Sequence, residues 1–164
     1  MVPFTVSTSI SKPREVVFDY LADIANHAEF SDHYLSDWHL LREDPQGVGA
    51  GARFRVKAPL NRFAWADLSI AELQRPRRIV VRGRGGKFNR VRILATYSVA
   101  EGPSQTTRVD FTLETEPALL SDRLIEGFGG RSWLRRKSTR AMRRLRTILE
   151  DDRGRGRRPT VSAR

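Results

Sequence analysis

The sequence predicts an α+β domain of the helix-grip kind: a curved antiparallel sheet of about seven strands wrapped around a long C-terminal helix, with two short helices after the first strand. Three observations carry this. The chain has 164 residues, enough for one domain with a real core. Between about 35 and 116 apolar residues recur with period two, broken by turn residues at short intervals. After that comes one long stretch of helical period.

Residues 4–10, Phe-Thr-Val-Ser-Thr-Ser-Ile, alternate apolar with small polar side chains, as a half-buried strand does. Ser11 can cap the next element and Pro13 suits a first helical position. Val16, Val17, Tyr20, Leu21 and Ile24 then follow helical spacing. A second short helix or turn is expected over 24–31. Strands follow over 35–43, 52–58, 63–73, 77–84, 89–99 and 106–116. The breaks between them are Asp44-Pro45-Gln46-Gly47, Pro76, Gly85-Gly86-Lys87 and Glu101-Gly102-Pro103-Ser104. In 52–58, Phe54, Val56 and Ala58 share one face and Arg53, Arg55 and Lys57 the other. Short connections make a meander the simplest topology. Pro117 is read as the start of the last helix. There Leu134, Ser138, Ala141, Leu145 and Ile148 form one stripe. Gly127, Gly129 and Gly130 should kink that helix, because each interior glycine costs about 1 kcal/mol against alanine. Residues 118–126 would then form an angled flap. Residues 151–164 lack periodicity and read as a disordered basic tail after a domain of 1–150.

Composition narrows the chemistry. With no cysteine, there are no disulfides, thiolate metal sites or cysteine nucleophiles. No signal-peptide pattern opens the sequence and no run approaches the length of a membrane span, so a soluble cytoplasmic protein is expected. Of the net charge of +11, residues 131–164 supply +10, from 13 Lys and Arg against 3 Asp and Glu. That asymmetry reads either as a solvated helix face with a loose tail or as a weak, salt-sensitive polyanion site.

His27, His33 and His39 are six residues apart, a spacing that suits neither a helical nor a strand metal pair, so no metal is expected. Asp67 faces inward with a raised pKa, or outward against an arginine of a neighbouring strand; the outward pair is favoured. Gly83-Arg84-Gly85-Gly86-Lys87 lacks the strand–loop–helix setting of a phosphate loop and reads as a hairpin turn. No Gly-x-Ser-x-Gly elbow occurs.

Three stretches resemble the START-like superfamily, which includes Bet v 1-like and polyketide cyclase/dehydrase-like (SRPBCC) proteins. Val6 to Asp23 resembles its opening strand running into "I-x-x-P-x-x-V-F-x-x-L-x-D". Val48-Gly49-Ala50-Gly51-Ala52-Arg53-Phe54 resembles its "G-x-G-x-x-F" turn. Glu72, Pro76 and Arg78-Ile79-Val80 resemble its "E-x-x-x-P-x-x-I". The resemblance implies a cavity between sheet and helix. Phe54, Val56, Trp65, Val81, Ile93, Tyr97, Phe111 and Leu113 would line it from the sheet, and Leu124, Phe128 and Leu134 from the helix. His33, Asp67 and Tyr97 would be its polar anchors or its acid–base groups. The same apolar faces would also build an ordinary solid core. The function this implies is binding or carriage of a hydrophobic or aromatic, lipid- or polyketide-like molecule, without a cofactor. The alternatives are a cyclase or dehydratase needing neither metal nor nucleotide, and a basic module for nucleic acid, ribosome or anionic membrane. Oligomeric state is left open.

Overall fold

Residues 2–58, 64–117 and 130–161 are described by the computed structural model. Strand β1 (Phe4–Ile10) is followed by helices α1 (Arg14–Ala22) and α2 (Asn26–Ser31). Six strands come next: β2 (Leu35–Leu40), β3 (Gly51–Val56), β4 (Trp65–Gln74), β5 (Arg78–Gly85), β6 (Val91–Glu101) and β7 (Thr107–Pro117). Helix α3 (Arg131–Asp151) completes the order. The seven strands form one antiparallel sheet in the order β1-β7-β6-β5-β4-β3-β2, the expected meander closed by β1.

Three local expectations are corrected. The Ser11 side chain caps nothing; its N–H instead reaches the Glu150 carboxylate at 2.6 Å, and Pro13 precedes the helix. Pro117 is the last residue of β7, paired across to Val91, and the residues after it lie outside the described ones. A proline is tolerated at the end of a ladder, where no further bond is needed. The expected flap over 118–126 and the glycines at 127 and 129 lie outside the described residues. Gly130 precedes α3 with helical backbone angles.

Two glycines sit where neighbouring strands approach most closely. A Cβ on Gly83 would overlap the Asp67 carbonyl oxygen of the adjacent strand, so only glycine lets β5 approach β4 here. A Cβ on Gly51 would come within 2.7 Å of the Leu68 carbonyl oxygen. Ala52 and Ala66 flank these points and are buried.

α3 lies across the concave face and contributes Ser138, Ala141, Met142, Leu145 and Ile148 to the core, the expected stripe with Met142 added and Leu134 only partly buried. Each large apolar side chain so buried contributes about 1.5–3 kcal/mol. Its other face carries Arg135, Arg136, Arg140 and Arg143, all exposed.

Residues 152–161 differ from the disordered tail expected. They run extended past α2 to the edge of β2. Arg155 pairs with Glu29 at 3.0 Å and Arg158 with Asp23 at 2.6 Å. The Gly156 N–H donates to the Glu29 carbonyl, and the Leu40 N–H to the Thr160 carbonyl. The order comes from carboxylates elsewhere in the chain, a long-range cause that local composition does not record. No described helix is long and apolar enough to cross a membrane.

Candidate functional site

The strand register sorts the concave face into rows. Ile79, Tyr97, Phe111 and Val6 stand side by side, then Val81, Ala95, Leu113 and Phe4, then Gly83, Ile93 and Thr115. Burial falls along these rows. On β6, Val99, Tyr97 and Ala95 are buried while Ile93 and Val91 are partly exposed. On β7, Val109, Phe111 and Thr115 are buried, and Leu113 between the last two is not fully covered. Leu68 on β4 and Trp133 and Leu134 in the first turn of α3 are also only partly buried. One end of the grip is a sealed core. The other presents an apolar surface that the described residues do not close.

An unforeseen residue joins this end. β2 carries a register shift between Ser36 and His39, with Asp37 in the left-handed region at φ 53°. The bulge changes the alternation, so Trp38 turns against Phe54, ring centres 4.5 Å apart. The Trp38 indole N–H is buried without a hydrogen-bond partner.

Three hydroxyl-bearing side chains are buried deeper in the interior. Tyr97 projects from β6, Tyr34 from the α2–β2 joint and Ser138 from α3; all three residues are buried. Burial pushes the Tyr34 phenol up to about 12, against a smaller lowering by the neighbouring Ser138 hydroxyl. Yet Ser138 Oγ has no partner at hydrogen-bonding geometry. The Tyr97 phenol is pushed up by burial and then by Tyr34. Both phenols therefore stay protonated at neutral pH.

Around them the aromatic packing is close. Tyr97 lies 4.9 Å from Phe111 and 5.3 Å from the His27 ring, centre to centre. His27 is buried and bonded through Nε2 to the Leu21 carbonyl at 2.8 Å. Burial lowers its pKa, outweighing the Leu21 carbonyl and Asp23, so the imidazole is neutral and Nε2 carries the proton.

The expected polar anchors divide. Asp67 is on the outer face, paired with Arg53 at 2.6 and 2.9 Å, the arrangement favoured from sequence. It anchors nothing inside. Trp65, two residues earlier and opposite Arg55, shares that outer face and is 45% exposed, so it does not line the concave side. His33 bonds through Nε2 to the Lys137 carbonyl at 3.2 Å with Nδ1 towards Arg144, tying α2 to α3. Tyr97 alone of the three faces the interior. Phe54, Val81 and Phe111 are buried with it; Val56, Ile93, Leu113 and Leu134 are partly buried. Leu124 and Phe128 lie outside the described residues. His39 pairs with Arg53 across β2 and β3. Among the described residues no group of three His, Asp or Glu is placed to hold a metal ion.

A seven-stranded curved antiparallel sheet gripping a long C-terminal helix defines a helix-grip protein. The chain belongs to the family described as polyketide cyclase / dehydrase and lipid transport, whose model matches residues 1–150. Solved structures share the fold at low identity. The KanY protein aligns with TM-score 0.72 and 15% identity, over 90% of this chain and 97% of its own. TTHA0849 from Thermus thermophilus gives 0.69 and 13%, over 90% and 96%. The ginseng major latex-like protein 151 from Panax ginseng gives 0.67 and 12%, over 90% and 96%. No curated protein sequence matches the chain.

Proposed function

We propose that this protein binds and carries a hydrophobic or aromatic small molecule between the concave sheet face and α3. The observation that carries this reading is the fall in burial along β6, from Val99, Tyr97 and Ala95 to Ile93 and Val91, with Leu113 beside them on β7 also only partly covered. A fold that needed only a solid core would cover those side chains, since each covered one adds stability. The family's description, which includes lipid transport, supports the same reading. The test is a thermal-shift screen of fatty acids, flavonoids, quinones and polyketide-like aromatics on the wild type and on Phe111→Arg. At one hundred times its dissociation constant a ligand should add about 2.7 kcal/mol. That amounts to a rise of about 5–11 °C for a domain of this size, absent in the variant. No shift with any compound would sink the proposal. The cyclase or dehydratase reading draws less support, because His33 and Asp67 are engaged elsewhere and only Tyr97 remains of its three acid–base groups.

A second surface supports the polyanion reading. Arg135, Arg136, Arg140 and Arg143 are exposed on α3 and make no ion pair among the described residues. Arg155 and Arg158 of the tail are already paired. Retention on heparin at low salt should therefore be lost when the four α3 arginines become glutamine and should survive Arg158→Gln. The opposite order would assign it to the tail.

A further inference from the structure

Residues 153–161 lie beyond the stretch that the family model matches, and they sit on the domain as a ligand would. Among the described residues, two main-chain hydrogen bonds fasten them. The Gly156 N–H donates to the Glu29 carbonyl at 2.9 Å, and the Leu40 N–H to the Thr160 carbonyl at 3.3 Å. The rest of the hold comes from two arginines in two acidic sockets. Arg158 donates to Asp23 Oδ2 at 2.6 Å and to Asn26 Oδ1 at 2.7 Å. Arg155 donates to Glu29 Oε2 at 3.0 Å, with its guanidinium 5.7 Å from the centre of the Tyr20 ring. Asp23, Asn26 and Glu29 are buried, whereas both arginines are exposed.

The sockets are built without the segment. Asp23 Oδ1 accepts from the Ala25 N–H at 2.9 Å, the Asn26 amide donates to the Tyr20 carbonyl at 2.9 Å, and the Tyr20 hydroxyl donates to Glu29 Oε2 at 2.6 Å. Each acceptor is thus aimed by α1, α2 and the joint between them, and a preorganised acceptor binds at lower entropic cost. Removing the arginines would leave buried carboxylates unpaired, so another cation would be drawn in. Arg144, the cation bordering the groove, is already taken up by Asp32 and by the Glu29 and Gly154 carbonyls. The groove also reads the main chain. A Cβ on Gly156 would run into the Asp32 carboxylate and lie 2.8 Å from the Glu29 carbonyl oxygen, so glycine is needed between the two arginine sites. Arg157 is exposed and makes no ion pair among the described residues, so its position is not selected.

We propose that α1, α2 and the edge of β2 form a recognition groove for an extended peptide segment of the pattern Arg-Gly-x-Arg. Residues 155–158 of the chain itself occupy the groove until a segment of the same chemistry on a partner protein displaces them. Charge complementarity names the partner, since an acidic or apolar segment would leave Asp23 and Glu29 bare in a site that water barely reaches. Displacement needs only local opening, because the exposed segment is tied at two main-chain points and not by a ladder.

The experiment uses the full chain carrying Gly156→Ala, which expels its own segment and leaves the sockets intact. A fluorescein-labelled peptide of residues 152–161 is titrated with it and followed by anisotropy. The peptide should bind this variant at least about tenfold more tightly than it binds the wild type, whose tethered segment competes at high effective concentration. A peptide with alanine in place of the glycine at position 156, and a scrambled peptide of equal charge, should each bind at least about tenfold more weakly than the parent. A second full chain, carrying Arg155→Ala with Arg158→Ala, should rank the peptides in the same order. Equal binding of parent and scrambled peptides by a folded variant would reduce the attraction to charge alone and overturn the proposal, as would no binding at all. Loss of the folded circular dichroism spectrum in both variants would overturn it too, since the segment would then be part of the core and not a displaceable occupant.

Discussion

Arg158→Ala is expected to destabilise the fold although Arg158 lies six residues from the C-terminus. Its guanidinium donates to Asp23 Oδ2 at 2.6 Å and to Asn26 Oδ1 at 2.7 Å. The Asp23 side chain is 6% exposed, so removing the arginine leaves a carboxylate in a site that water barely reaches. Losing one partner of a fully buried pair costs about 3–5 kcal/mol. Two features reduce that here. Arg158 itself is 50% exposed, and Asp23 keeps the Ala25 N–H at 2.9 Å. A loss of about 2 kcal/mol is therefore expected, and with it a melting temperature lower by about 4–8 °C. The assay is thermal unfolding followed by circular dichroism at neutral pH, with Arg157→Ala as control because Arg157 is exposed and makes no ion pair among the described residues. Added salt should narrow the difference only slightly, since the anionic partner is buried. If Arg158→Ala melts with Arg157→Ala and the wild type, the tail is not a structural strap, and the expectation of disorder regains its force.

Two further outcomes follow from the core. The folded-state pKa of His27 is lowered by burial, so the unfolded chain binds the extra proton; stability should be complete above about pH 6.5 and fall as pH drops below it, by up to about 1.4 kcal/mol per pH unit, and His27→Gln should flatten that slope in denaturant titrations. Gly83→Ala should cost about 2–3 kcal/mol, because its Cβ would lie 1.8 Å from the Asp67 carbonyl oxygen, whereas the Cβ of Gly85→Ala comes no nearer than 3.0 Å, to the Ala66 Cβ, with the Trp65 carbonyl oxygen at 3.2 Å, and should cost less; equal melting of the two would contradict the need for glycine at 83.

The fold was legible because its signals are local. Period-two alternation marks each strand within a window of its own length, and the Gly85-Gly86 and Gly102-Pro103 turns mark where strands reverse. The features that escaped depend on distant partners. Nothing in Arg153 to Thr160 announces that Asp23 and Glu29, more than a hundred residues earlier, would hold it. Pro117 looks like a helix start because proline favours that position, yet the β7 ladder with β6 runs through to it. The bulge at Asp37 had one visible sign: Leu35 and Trp38, both apolar, differ by an odd number of residues and cannot share a face of a regular strand. Only a bulge reconciles them, and pairing Leu35 with Val56 and Leu40 with Ala52 requires it.

The site was half legible, and parity explains the division. Trp65 and Asp67 are two residues apart in one strand, so they face the same side. An outward Asp67 beside an arginine therefore excludes Trp65 from the cavity side. Arg53 opposite Asp67 fixes both as outward, and Ala66 between them takes the inner place beside Phe54. Alternation thus ranks cavity candidates better than hydrophobicity does: a tryptophan is costly to leave exposed, but two charged residues pairing across strands hold it there. The same logic separates the polar groups. Asp67 and His33 can find partners on neighbouring elements and do so. Tyr97 shares the inward parity of Ala95 and Val99, and Ser138 shares the helical stripe of Ala141 and Leu145, so the backbone geometry that buries their apolar neighbours buries their hydroxyls too.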